Sequence, residues 1–540
     1  MAYHILDGGR RNKGNMNYKS SNDKSGNDKS NRLNVVDDNI EQFKDVYPEM
    51  MKKVNKQKLD IIEPRITEVN SVYALIKEFI ISKKRKIYGG YALNLLIMQK
   101  NKSLAFYDES DTPDIDFYSP EPLKDLKELC DIIHNAGFSP VVGQEAMHKE
   151  TYAIFVNYKE YCNISYMPYN IYNKLKFIEY AYDGSKTKTM VLTHPWFMMI
   201  DYFRMFTDPM ISFWRLEKTY ERYILLQKTY PLPLIKSPLI IPEYKNNDVI
   251  KYMTLLFNEI SNYNTLIFTG FYVYNYYLEY SGYNNYKPIN CPYYEAYSTN
   301  YIDDGLKIIQ FIKSLNNDKL SYVEYYPFFQ FYGFNVVIFY EDTPILYLYS
   351  NNKRCIPYKR VTIGMGKGGN GGGGGGGGGG GEGKEGGSKG GTEINIGSFD
   401  FNILHALIIL VKVRVDNIDN WNDLLYKYIN NIVLFRDTYL KKHSKTIYDD
   451  TIFQSFVIEC TGEIIPPDRE RRLRIEVKKK LGKPYIYKYD PNVSKNGGTF
   501  IFLNSSGNRI NNNANLKLVE SHKNNKNIEL ELEENEEREE

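Results

Sequence analysis

Cysteine is scarce. The chain has five in 540 residues, Cys130, Cys162, Cys291, Cys355 and Cys460, and no Cys-x-x-Cys pair. A dispersed, odd set of this kind excludes a zinc ribbon and argues against a disulfide framework, so the expectation is free thiols in a reducing compartment. Long apolar runs are also missing. The longest lies near Ile403–Val411, well short of the ~20 residues that cross a bilayer, and the first residues show no apolar core of a leader peptide. The expectation is a soluble, intracellular protein with no membrane partner. Excess charge of one sign is lacking too: the net charge of +3 selects no partner by itself. Tryptophan occurs three times, but tyrosine 49 times, amid frequent Asn, Lys and Ile. That bias matches a coding sequence poor in G and C, and most of the tyrosines need no functional explanation.

A chain this long exceeds a single core, which predicts two or more domains. Residues 1–36, rich in Ser, Asn, Lys and Gly, read as a disordered tail. From Asp38 a helical pattern runs on through Val69–Ile81 and gives way to Lys83, Lys84, Arg85 and Lys86. Such a run is commonly a solvated helix end, although here it adjoins a candidate phosphate site.

The stretch Lys86–Ser119 carries the chemistry. It opens Lys86-Ile87-Tyr88-Gly89-Gly90-Tyr91-Ala92-Leu93-Asn94 and closes Thr112-Pro113-Asp114-Ile115-Asp116-Phe117-Tyr118-Ser119. The first part reads as strand, glycine turn and helix, the second as a strand. Alternation along that strand puts Asp114 and Asp116 on one face and Ile115 and Phe117 on the other. Two carboxylates side by side repel unless a cation sits between them, and hard oxygen donors suit Mg2+ or Mn2+, ions that also ride on nucleotide phosphates. Gly89 and Gly90 let a triphosphate approach the backbone, at a helix N-terminus that favours anions. Asn94, one turn on, either contacts nucleotide or makes a local hydrogen bond.

Downstream, a helix is expected near Leu123–Asn135, strands at Tyr152–Val156 and Tyr161–Met167, a mainly helical Met190–Tyr230, and a proline-rich connector at Pro231–Pro242. The second half resembles a worn copy of the first at an offset of about 180 residues. Phe268-Thr269-Gly270-Phe271-Tyr272-Val273 lies over Tyr88-Gly89-Gly90-Tyr91-Ala92-Leu93, with Asn275 one residue late for Asn94. Tyr293 falls where Asp114 stood and Glu295 where Asp116 stood, and a lone carboxylate makes a poor metal site. The glycine tract at 364–391 is too long for a phosphate loop and reads as a flexible insertion. Helices are expected again at Phe399–Val413 and Trp421–Tyr439. The expected fold class is α+β: two tandem nucleotidyltransferase-like subdomains, each with its helices, at 37–235 and, degenerate, at 243–455. From Pro466 to Lys488 nine basic residues stand against three acidic ones, with Tyr485, Tyr487 and Tyr489 close by. Residues 456–520 therefore read as an RNA-binding segment in which Arg471, Arg472, Arg474, Lys478, Lys479 and Lys480 contact phosphates and the tyrosines stack on bases. A solvated helix followed by a strand would look the same. Residues 521–540 form an acidic tail.

The Gly-Gly turn followed by Asp-x-Asp resembles the nucleotidyltransferases of the DNA polymerase β superfamily. His194-Pro195-Trp196-Phe197-Met198-Met199-Ile200-Asp201-Tyr202-Phe203-Arg204 and Ser212-Phe213-Trp214-Arg215-Leu216-Glu217-Lys218 narrow the likeness: over roughly 80–460 the chain is similar to the poly(A) polymerase catalytic subunits of large cytoplasmic DNA viruses, mimivirus-type viruses above all. The resemblance implies template-independent addition of AMP from ATP to the 3′ end of viral mRNA, with Mg2+ or Mn2+, by two-metal transfer at Asp114 and Asp116. It implies work in the host cytoplasm, and it allows packaging in the virion and either self-association or a methyltransferase-like processivity subunit. One departure stands out. The superfamily places a third carboxylate on a following strand, whereas Tyr161-Cys162-Asn163-Ile164-Ser165-Tyr166 offers none, and simple alternation brings neither Glu160 nor Glu150 to the site. Two other readings fit the same residues: a non-catalytic RNA-binding scaffold, and a transferase acting on another RNA or a small molecule.

Overall fold

The computed structural model describes residues 40–502 except 62–64, 108–110, 183–187, 242–245, 353, 364–390, 417, 419–420, 484–486 and 492–498. The expected tails at 1–36 and 521–540 and nearly all of the glycine tract lie outside the described residues. The chain divides into two compact units, the first ending at Lys58. The helix there, α1 (Ile40–Ile61), is amphipathic, with Ile40, Phe43, Tyr47, Met50 and Val54 at helical spacing along one face.

The second unit is α+β and contains the same supersecondary design twice. In the first copy α2 (Ile66–Lys83) leads into β1 (Lys86–Tyr88), α3 (Gly89–Lys100), β2 (Ile115–Ser119), α4 (Pro122–Asn135), β3 (Val141–Glu145), β4 (Thr151–Val156), β5 (Lys159–Tyr166), α5 (Tyr169–Tyr172), β6 (Phe177–Ala181) and β7 (Thr189–Thr193). Helices α6 (Pro195–Phe206), α7 (Pro209–Ser212) and α8 (Leu216–Thr229) follow. The second copy runs α9 (Asn247–Ile260), β8 (Leu266–Thr269), α10 (Gly270–Ser281), β9 (Tyr294–Ser298), α11 (Tyr301–Ser314), β10 (Leu320–Tyr325), β11 (Asn335–Tyr340), β12 (Thr343–Ser350), β13 (Ile356–Ile363) and β14 (Thr392–Gly397). It continues with α12 (Phe399–Val415) and α13 (Trp421–His443), and the chain closes with β15 (Cys460–Thr461), α14 (Pro467–Lys480), β16 (Tyr487–Asp490) and β17 (Thr499–Phe502).

Strand orders establish the repeat. The first sheet runs β17-β16-β3-β4-β5-β2-β1-β7-β6 and the second β10-β11-β12-β9-β8-β14-β13-β15. In each, the short strand before the glycine is antiparallel to the carboxylate strand, which lies parallel to the strand beyond it. One apolar core runs from Val69 in α2 to Tyr489 in β16 and takes in both sheets. Equivalent helices α6 and α12 pack on each other, so the two copies share a buried seam. Among the described residues no helix is long and apolar enough to cross a membrane.

Four expectations change. The region from Met190 opens with a strand, β7, because Met190 and Leu192 are buried beside β1 and β6 before Pro195 starts α6. The cysteines are not all free: Cys355 and Cys460 are joined, tying the start of β13 to β15, while Cys130, Cys162 and Cys291 remain thiols. The basic run before β1 is structural. Lys83 pairs with Glu128 at 2.7 Å and Arg85 with the buried Asp125 at 2.7 Å. Lys86 is itself buried and donates to the carbonyls of Tyr172 and Leu175, so no cation of this trio is offered to phosphate. Finally, the repeat register shifts by one. Gly270 matches Gly89, since both open a helix at positive φ (+67° and +73°), and Asn275 then falls on Asn94.

Candidate active site

The site forms where β1 ends. Antiparallel pairing sets Tyr88 opposite Asp116, so the carboxylate meets the chain just as it turns into α3. A Cβ on Gly89 would lie 2.5 Å from Asp116 Oδ2, and one on Gly90 2.7 Å from Tyr107 Oη and 2.8 Å from Arg222 Nη1. The first glycine is required by its φ and by the carboxylate against it, while a Cβ at the second would push aside the ends of Tyr107 and Arg222. Ile115 and Phe117 are fully buried on the far face, which leaves Asp114 and Asp116 on the open one, as alternation requires. The approach to Asp114 is fixed from outside: Tyr73 Oη donates to the carbonyls of Thr112 (2.9 Å) and Pro113 (2.7 Å), and Lys159 Nζ donates to Thr112 Oγ1 (3.2 Å).

Asn163 stands beside Asp116 on the parallel neighbour β5. Glu160, which simple alternation does not bring to the site, reaches it for a physical reason. Pairing of β4 with β5 slips between Ile154/Cys162 and Phe155/Glu160, leaving Tyr161 unpaired. A bulge of one residue resets the alternation, and Glu160 comes to the face of Asn163, whose Nδ2 donates to Glu160 Oε1 at 2.8 Å. Three acids thereby share one neighbourhood. Burial raises the Asp116 pKa well above the carboxylate range, Asp114 and Glu160 push it further, and Asn163 and Arg215 oppose them. Glu160 is raised likewise, first by burial.

This donor set fits a hard divalent cation. Among the described residues neither Asp114 nor Asp116 has an ion-pair partner, and no three His, Cys, Asp or Glu side chains close round a metal unaided. Magnesium is characteristically held by one or two carboxylates with substrate phosphates completing the shell.

Asn94 takes its local part. It is buried, and its Oδ1 accepts from Phe106 N (2.9 Å) and Tyr107 N (3.2 Å). The side chain thus holds the 106–107 backbone over the glycine turn and offers no acceptor to nucleotide; Asn275 holds Ile289 in the same way.

The basic residues of α14 divide. Arg472 pairs with Asp468 (2.6 Å) and Arg474 with Glu470 (3.2 Å), and Arg474 also donates to the Met147 carbonyl (3.0 Å). Lys479 and Lys480 are exposed, and Arg471 and Lys478 half-buried. Arg474 acts on His148, which is pushed down by burial and then by Arg204, Arg215 and Arg474. Arg354, from the loop before β13, joins this group, lowered to about 9 by burial and then by Arg204. The stacking expected of the tyrosines fails at Tyr489, which is fully buried in β16 with its hydroxyl on Asp131. Tyr485 lies outside the described residues.

The second copy is closed by its own side chains. Glu295 pairs with His405 (2.9 Å) and accepts from Tyr349 Oη (3.2 Å). What remains is a small crevice walled by Gly270, Phe271, Tyr293 and Tyr428.

Sequence reasoning missed Tyr107 and Arg222, which converge on Gly90, and misjudged Glu160. Arg215 and Arg222 are one heptad apart, spacing that could have marked a shared helix face; nothing in the sequence signals the bulge.

Comparison with known proteins agrees with this geometry. A family profile described as "Poly(A) polymerase catalytic subunit" matches residues 74–212, and one described as "APMV, Putative poly(A) polymerase, catalytic subunit, C-terminal" matches 225–373 and 382–520. The chain is 32% identical over 504 residues to a "Putative poly(A) polymerase catalytic subunit" of Acanthamoeba polyphaga mimivirus, covering 86% of this chain and 81% of the relative. It is 31% identical over 179 residues to the protein of the same name from African swine fever virus, covering 32% of this chain and 36% of that one. Among solved structures, the crystal structure of the Megavirus polyadenylate synthase superposes with a TM-score of 0.75 at 30% identity, over 90% of this chain and 95% of that one.

Proposed function

The chain belongs to the viral poly(A) polymerase catalytic subunits, and from that membership we propose that it extends the 3′ end of viral mRNA with AMP drawn from ATP, at the first copy alone. The observation that carries the reading is Asp116 set against the Gly89–Gly90 turn with Asp114 acting on it, against a second copy whose one equivalent acid is consumed by His405. In the reaction the RNA 3′-oxygen bonds to the α-phosphorus of ATP and the bond from that phosphorus to the bridging oxygen breaks. Pyrophosphate leaves, and the hydroxyl proton passes to water.

Asp114 and Asp116 would hold the divalent ions, with Glu160 and Asn163 beside them. Mg2+ or Mn2+ bound there supplies positive charge that favours the attacking alkoxide and neutralises the departing pyrophosphate. The Gly89–Gly90 turn presents N–H groups at the start of α3 to the phosphates. Arg215, with Arg471, Lys478, Lys479 and Lys480 of α14, suits an RNA backbone, while Arg204, Arg472 and Arg474 are already engaged by Asp201, Asp468 and Glu470.

Incubating the protein with single-stranded RNA and each of the four nucleoside triphosphates separately tests the reading. Extension with ATP, and none on RNA ending in a 3′-deoxynucleotide, is expected. A chain that binds RNA but extends it with no nucleotide would be a scaffold and would end the proposal.

A further inference from the structure

Arg222 lies in the middle of α8 and reaches back to the first turn of α3. Its Nη1 is 2.8 Å from where a Gly90 Cβ would be, and its Nη2 donates to Tyr107 Oη at 2.9 Å. The guanidinium carbon stands 4.6 Å from the Phe106 ring centroid and 5.4 Å from that of Tyr107. Both rings belong to the backbone segment that Asn94 fixes. Among the described residues no carboxylate pairs with this guanidinium. A half-buried arginine in an ion pair would be spent on structure; this one is oriented by a neutral hydroxyl and keeps donors in hand. Arg222, Asp114 and Asp116 all act on Tyr107, and Arg222, bonded to its hydroxyl, forms no ion pair with either carboxylate among the described residues.

We propose that Arg222 grips the β- and γ-phosphates of ATP against the Gly89–Gly90 turn, with Tyr107 and Asn94 as positioning residues that hold its guanidinium in place. The inference rests on the reading that the first copy is the catalytic one. A planar guanidinium matches phosphate oxygens bidentately and gains strength in a partly dehydrated site. It stands where charge accumulates as pyrophosphate departs, so its contribution grows along the reaction. The same geometry gives the second glycine a part: a side chain at 90 would displace the guanidinium of Arg222.

Equilibrium binding of ATP, pyrophosphate and AMP to the full chain, with tailing kinetics alongside, tests this in Arg222→Gln, Arg222→Lys and Tyr107→Phe. Arg222→Gln should weaken ATP and pyrophosphate at least tenfold, change AMP less than twofold, raise KM for ATP while leaving that for RNA, and lower kcat as well. Arg222→Lys should recover part of the loss, and Tyr107→Phe should lie between it and the native chain. Native affinity for pyrophosphate in Arg222→Gln would overturn the proposal. So would an equal loss of AMP, since that marks collapse of the 106–107 segment. Failure of the catalytic reading itself is distinguishable: Asp114→Asn would then tail RNA normally, whatever Arg222 does.

Discussion

Replacing Gly89 and Gly270 by alanine separates architecture from catalysis, because the two glycines have the same local geometry. Each opens a helix at positive φ, +73° and +67°, with a carboxylate oxygen 2.5 Å and 1.9 Å from the place of the missing Cβ. A left-handed alanine costs roughly 1–2 kcal/mol. Forcing the carboxylate aside in a packed site adds about 1–3 kcal/mol. Each variant should therefore lose roughly 2–5 kcal/mol, with Gly270→Ala at least as unstable as Gly89→Ala because its contact is closer and Glu295 is held by His405. Denaturant unfolding measures that loss. The tailing assay, run where both variants remain folded, should then divide them: Gly89→Ala moves Asp116 and loses extension, whereas Gly270→Ala keeps it. Equal loss of activity, or native activity in Gly89→Ala, would refute the assignment of catalysis to the first copy.

Glu160→Gln should weaken Mn2+ binding and reduce kcat by about 10- to 100-fold, the range for groups that support metal ligands; unchanged binding in a manganese titration would return Glu160 to a purely structural part. His194 caps α6 by accepting from Trp196 N at 3.3 Å and is held down to about 4 by burial, helped by Arg414 and Lys176. The unfolded chain takes up that proton near 6.5 and the folded chain only near 4, so stability falls as pH drops through that window, by at most about 3–4 kcal/mol. His194→Asn keeps a capping acceptor and should flatten this part of the pH–stability curve. Replacing Arg471, Lys479 and Lys480 by glutamine should weaken RNA binding evenly across sequences and lower the salt slope by up to about 2; an unchanged slope would remove α14 from the RNA track.

The carboxylate strand and glycine turn were legible because their logic is local: alternation sets Asp114 with Asp116, and two adjacent glycines announce a close approach. The repeat was legible in outline, and its register was not. Gly270 could be laid on either glycine of the first copy, and the shared positive φ, the carboxylate against each and the matching bonds of Asn94 and Asn275 decide. Glu160 was lost to the opposite difficulty, since alternation is a sound rule until a bulge at Tyr161 resets it. The roles of Lys83, Arg85, Lys86, Asn94 and Tyr489 depend on partners 12 to 358 residues away, separations that no window of sequence spans. The Cys355–Cys460 link crosses 105 residues and has no motif to announce it.

The most direct measurement is extension of an end-labelled RNA by ATP with Asp114→Asn and Asp116→Asn beside the native chain, each checked for native unfolding behaviour. The account predicts a ladder of added adenylates from the native chain and none from either folded variant. A native-length ladder from either variant would contradict it.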